Sequence, residues 1–199
     1  MTFHPPVRRL PHQPRPEPGP PDHGSPPGST GSAQKPDRCH GAELLVWGAH
    51  GGAGTTTLTA WLGQSACDMG SMRPGTYPRY PAQTSNGRPL VVVCGPTARA
   101  ALAATIAVKA VTMAWSRVTV LAIVSDGWPE PPTATVRFHL LERQVDATIR
   151  VPFVPGLRLA DEPTAVPLPR QARRAVNEIR AAAGLSPLSP NVPDLPDRS

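Results

Sequence analysis

Apolar positions along this chain come in short runs set apart by turn residues, and two spacings alternate between them. Leu44-Leu45-Val46-Trp47, behind Glu43 and bounded by glycines, is an unbroken apolar run of the kind that forms a buried strand. Leu90-Val91-Val92-Val93-Cys94 and the stretch from Val118 to Val124 repeat that pattern, as parallel strands covered on both faces do. Ala147-Thr148-Ile149-Arg150-Val151, stopped by Pro152, predicts a fourth strand at a sheet edge. Between the runs, helical spacing takes over. Leu58, Trp61 and Leu62 share one face of a helix over 55–64, and Thr97 is placed to cap an Ala-rich helix reaching about Ala114. Val136, Leu140 and Leu141 mark the inward face of a helix over 133–144. In a last helix over 170–183, Ala172, Val176, Ile179 and Ala183 oppose Arg170, Arg173, Arg174 and Arg180, and Gly184 ends it. Residues 67–89 show neither period and read as a long loop, a feature that is often functional.

Strands alternating with helices imply right-handed crossovers, hence an α/β fold: a small three-layer domain with a parallel sheet of about four strands over residues 41–184. The chain has 199 residues with 28 Pro and 17 Gly, and the prolines crowd both ends. Segments 1–40 and 185–199 therefore read as disordered Pro-rich tails, unable to bury enough apolar surface to offset the entropy of ordering. The formal charge is +6, carried by arginine throughout except at Lys35 and Lys109, which favours an acidic partner without naming one. Three cysteines, Cys39, Cys67 and Cys94, suit neither a disulfide framework nor a zinc site and point to reduced thiols in a cytoplasm. No apolar run follows Arg8 and Arg9 as a secretion signal requires, and no segment is apolar for the length of a membrane span.

The chemistry concentrates where the first strand meets the first helix. A strand ending in a glycine turn that feeds a helix aims several backbone N–H groups and the positive helix end at one spot, which suits phosphate. Here the order is Ala49-His50-Gly51-Gly52-Ala53-Gly54-Thr55-Thr56-Thr57-Leu58. It resembles the loop of the ParA/MinD family of P-loop ATPases, Lys-Gly-Gly-Val-Gly-Lys-Thr-Thr, and the likeness extends more weakly over about residues 43–158. By that register His50 stands at the signature lysine, Thr55 at the phosphate-binding lysine, and Thr56 at the hydroxyl that coordinates magnesium. Ser125 or Asp126 falls near the base-binding Asn. The chain is also similar to a group of small actinobacterial proteins with the same His-Gly-Gly-Ala-Gly loop, often found among plasmid-transfer genes.

The resemblance implies a phosphate site at His50, Gly51, Gly52, Ala53, Gly54, Thr55, Thr56 and Thr57, with ATP or GTP and Mg²⁺ as cofactors. Both lysines are replaced, and loop 67–89 takes the place of the segments that hold metal, so neither family aspartate is expected. A protein that binds nucleotide with little or no hydrolysis follows, acting as an accessory or regulator in plasmid transfer or partition through a protein partner. Two alternatives stand beside it. One is an ATPase completed by Arg73, Arg79 or Arg88 of the long loop, or by a partner chain. The other is an interaction module without ligand, using the basic surface and the Pro-rich tail to bind DNA or a transfer apparatus, with the arginine face of 170–183 as a candidate for DNA or partner docking.

Overall fold

A computed structural model describes residues 39–72, 87–114 and 116–188, arranged as an α/β fold around an all-parallel sheet. Nine elements follow in chain order: β1 Leu44–Gly48, α1 Thr55–Leu62, β2 Ala66–Ser71, β3 Leu90–Cys94, α2 Ala98–Met113, β4 Val120–Val124, α3 Pro132–Glu142, β5 Ala147–Val151 and α4 Arg170–Ala182. Two short 3-10 turns, Pro155–Leu159 and Pro163–Ala165, lead from β5 to α4. The strand order is β2-β1-β3-β4-β5. Both neighbours of β1 run parallel to it, so the direction of winding reverses between β1 and β3. In open α/β sheets ligands favour such a switch point, outside the carboxyl ends of the strands.

Side-chain alternation divides the core into two layers. Leu44, Val46, Val91, Val93, Val120 and Ala122 face α1 and α4, where Leu58, Leu62, Val176 and Ile179 cover them. Leu45, Val92, Leu121 and Ile123 face α2 and α3, beneath Ala104, Val108, Phe138 and Leu141. The three-layer expectation is met, with five strands in place of four. Thr97 caps α2 as its position suggests, its hydroxyl accepting from the Ala100 amide at 3.1 Å.

The extra strand corrects the reading of 67–89 as loop throughout. Ala66-Cys67-Asp68-Met69-Gly70-Ser71 carries no apolar run because it lies at the sheet edge with β1 as its neighbour, and only Cys67 is buried in it. Residues 73–86 of that stretch, and with them Arg73 and Arg79, lie outside the described residues, as do residues 1–38 and 189–199. Of the segment read as a tail, Leu185 and Leu188 pack against the α1–α4 layer, and Asn177 Oδ1 accepts from the Leu188 amide at 3.0 Å.

The cysteine reading is overturned as well. Cys39 and Cys67 form a disulfide, with Cα atoms 5.4 Å apart across a sequence separation of 28. Parallel pairing of Leu45 with Cys67 brings edge strand β2 alongside the chain entering β1, which spacing in sequence could not reveal. Cys94 is free and buried, and burial pushes its thiol up to about 12.

In α3 the expected face is met at Leu141 and corrected at Val136 and Leu140. Ala134, Phe138 and Leu141 are buried, whereas Val136 and Leu140 are 61% and 63% exposed. Phe138 carries the larger apolar area, and its period selects the face that meets the core.

Candidate functional site

The glycine turn leaves β1 at Gly48 and enters α1 through Gly54, whose φ of 87° and ψ of 18° are left-handed. Glycine adopts that conformation without the strain a Cβ brings. No side chain caps the first amides of α1, and the helix starts where β1 ends, at the carboxyl edge of the sheet. Gly48 is needed for a different reason. A Cβ there would collide with Thr55 Oγ1 and lie 3.1 Å from Ser71 Cβ. Thr55 is thus tucked against the end of β1 and is 8% exposed. The residue that the resemblance sets at the phosphate-binding lysine has turned inward.

His50 is committed to the protein as well. Its Nε2 accepts from the Gly95 amide at 3.2 Å and its Nδ1 lies 2.8 Å from the Gly51 carbonyl. An amide can only donate, so Nε2 carries no proton and Nδ1 is the protonated nitrogen. The ring thereby bridges the carboxyl ends of β1 and β3 at the switch point, with both nitrogens satisfied by backbone.

Thr56 points toward β2. Its hydroxyl donates to Asp68 Oδ2 at 2.8 Å, and Asp68 Oδ1 accepts from the Gly70 amide at 2.7 Å. An aspartate on the strand after α1 therefore does stand beside the hydroxyl that the resemblance assigns to magnesium. It was missed because β2 was missed. One hydroxyl and one carboxylate suit Mg²⁺, which keeps several waters and completes its shell from ligand phosphates. Among the described residues no group of three or more His, Cys, Asp or Glu could hold a metal by protein ligands alone.

Thr57 opens onto a cavity of about 290 Å³ between α1 and the ends of β4 and β5. Gly54, Leu58 and Trp61 form one wall, Ser125 and Asp126 a second, and Phe153, Leu157 and Arg158 a third. Ser125 and Asp126 spend side-chain acceptors on their own turn: Ser125 Oγ takes the Gly127 amide at 3.2 Å and Asp126 Oδ1 the Trp128 amide at 3.0 Å. Arg158 lies over the Phe153 ring at 4.8 Å and donates to the Asp126 carbonyl at 3.4 Å. Nothing in the periodicity of 152–158 marks Arg158 or Phe153 as site residues.

Arg88, proposed to swing over the phosphates, sits at the opposite end of the sheet and donates to the carbonyls of Cys39 and Ala42 at 2.7 and 3.2 Å. The arginines of α4 are also largely engaged. Arg173 donates to the Leu168 carbonyl, Arg174 pairs with Glu178 at 2.8 Å, and Arg180 donates to the carbonyls of Leu62 and Ser186. Trp61 is buried and donates to the Pro163 carbonyl at 3.3 Å, while Trp128 is 75% exposed. Among the described residues no helix is long and apolar enough to cross a membrane.

Comparison of the chain with protein-family models, with curated proteins and with solved structures finds no match.

Proposed function

We propose that this protein is a degenerate P-loop protein of ParA/MinD-like build. In this reading residues 51–57 hold the phosphates of ATP, GTP or another phosphorylated ligand, with Mg²⁺. The observation that carries the reading is the uncapped start of α1, opening beside a cavity lined by Thr57 and Arg158. Gly54 and Thr57 at the start of α1 and the Arg158 guanidinium line one volume, and backbone amides beside a guanidinium are a combination that recognises a phosphorylated group. The apolar wall of Leu58, Trp61 and Phe153 suits a ring beside it.

Thr56 and Asp68 are the residues that would hold magnesium, which on binding supplies charge to the phosphate oxygens. Hydrolysis is slow or absent in this proposal, because the one lysine among the described residues, Lys109, lies in α2 and Thr55 is turned inward. An accessory or regulatory role in plasmid transfer or partition, exerted on a protein partner, follows from the resemblance. A nucleotide ligand argues for a cytoplasmic setting, against which the Cys39–Cys67 disulfide stands as a feature more usual in oxidising compartments.

Titration calorimetry with ATP and GTP, with and without Mg²⁺, tests the proposal. Saturable, magnesium-dependent heat is expected, with the magnesium dependence lost in Asp68→Asn. No saturable heat at millimolar nucleotide overturns it.

A further inference from the structure

Helices α2 and α3 lie side by side over one face of the sheet, and each is apolar on its far side too. In α2, Ala104, Val108 and Val111 are buried, while Leu102, Ile106 and Met113 are 47%, 50% and 79% exposed. Leu102, Ile106, Lys109 and Met113 step by four, three and four, so they form one straight row pointing away from the core. In α3, Val136 and Leu140 stand opposite buried Phe138. Arg137 Nη1 donates to the Ala98 carbonyl at 3.2 Å and fixes the two helices against each other. Neither row is used by the fold or by the candidate phosphate site at the carboxyl edge.

Charge decides what fits. Lys109 interrupts the apolar row of α2, and α2 contains Arg99 and Lys109 but no acidic residue. On α3 the sole carboxylate, Glu142, is taken by His139 at 3.1 Å, while Arg137 is exposed and Arg143 follows at the helix end. A second copy of this chain would bring Arg99, Lys109, Arg137 and Arg143 to the face with only Glu142 to balance them, an excess of like charge. We propose that the α2–α3 face docks an amphipathic helix of a partner protein, one whose apolar row is flanked by carboxylates and places one opposite Lys109. Helix-in-groove recognition uses such spaced anchors, and a cation inside an apolar row selects partners by charge.

The probe is a labelled helical peptide of three heptads with Leu at the core positions and Glu beside them, and a twin with Lys in place of Glu. Both are titrated against the full chain by fluorescence anisotropy. The Glu peptide is expected to bind at least about tenfold tighter than its twin. Lys109→Glu, a change at an exposed position, is expected to abolish or reverse that preference. Ile106→Asp should weaken the Glu peptide by about tenfold or more, with an unchanged circular dichroism spectrum. Leu102→Ser serves in its place if that variant fails to fold. Absence of saturable binding, equal affinity for the two peptides, or indifference to both Lys109→Glu and Ile106→Asp overturns the proposal. So does sedimentation showing that the chain alone dimerises through this face, with the dimer lost in Ile106→Asp.

Discussion

His50 Nε2 accepts the amide hydrogen of Gly95 at 3.2 Å, tying the first loop of the domain to the end of β3. The bond occupies the switch point with the protein's own imidazole and requires the neutral tautomer protonated at Nδ1. Long-range ¹H–¹⁵N spectra of the His50 ring should therefore show a protonated Nδ1 and a bare Nε2. His50→Ala, which orphans the Gly95 amide, should cost about 1 kcal/mol or somewhat more in urea unfolding. A ring protonated at Nε2 would contradict the arrangement.

Gly54→Val puts a β-branched side chain at a φ of 87°. Strain of about 1–3 kcal/mol is expected, read as a lower urea midpoint, together with loss of any nucleotide heat in calorimetry. Arg158→Ala should weaken the same heat with little change in midpoint, because among the described residues the exposed Arg158 side chain is held by the Phe153 ring and the Asp126 carbonyl.

The two faces of α3 separate cleanly by mutation. Phe138→Ala removes a fully buried ring and should cost about 3–5 kcal/mol. Leu140→Ser, at a position 63% exposed, should stay within about 0.5 kcal/mol. Chemical denaturation of both variants checks the assignment.

Reduction should be costly. The Cys39–Cys67 bond closes a loop over a separation of 28 residues, and chain-entropy reasoning assigns such a bond about 3–4 kcal/mol. Urea unfolding with and without reductant should differ by that order, and Cys67→Ser should match the reduced protein. Cys94, buried with its thiol held near 12, should stay unmodified by iodoacetamide until the protein unfolds.

Glu130 gives the domain a pH signature. Burial acts to raise its carboxyl, but hydrogen bonds from Thr135 and Arg150 and the charge of Arg150 outweigh that and hold it below its ordinary value. A group lowered in the folded state contributes stability above its unfolded pKa and loses it as pH falls through the folded one. Arg150 is half exposed, so the pair is worth about 1 kcal/mol or less. Arg150→Ala should lower stability at pH 7 by that amount, and the difference from wild type should vanish as acid neutralises Glu130.

Strands β1, β3 and β4 were legible because each is paired on both sides and packed from helices, so apolar residues run through it almost uninterrupted. Edge strand β5 was legible because buried Ile149 and Val151 still alternate with Thr148 and Arg150. β2 was not, since an edge strand with one buried residue has no periodicity to read. That single omission hid both the disulfide and the contact of Asp68 with Thr56. The glycine turn was visible in its residues, but the directions of Thr55 and His50 were not. They depend on Gly48 and Gly95, which the chain brings near only after folding. Arg158 reaches the cavity from a turn whose course no local pattern encodes.

The contact between Arg180 and the Leu62 carbonyl has a consequence for biosynthesis. The first helix of the domain is clasped at its C-terminal end by its last, so a ribosome must release nearly all of the described chain before that clasp can close. Nascent fragments ending before residue 170 lack Val176 and Ile179 and leave the part of that sheet face beside α1 open to chaperones.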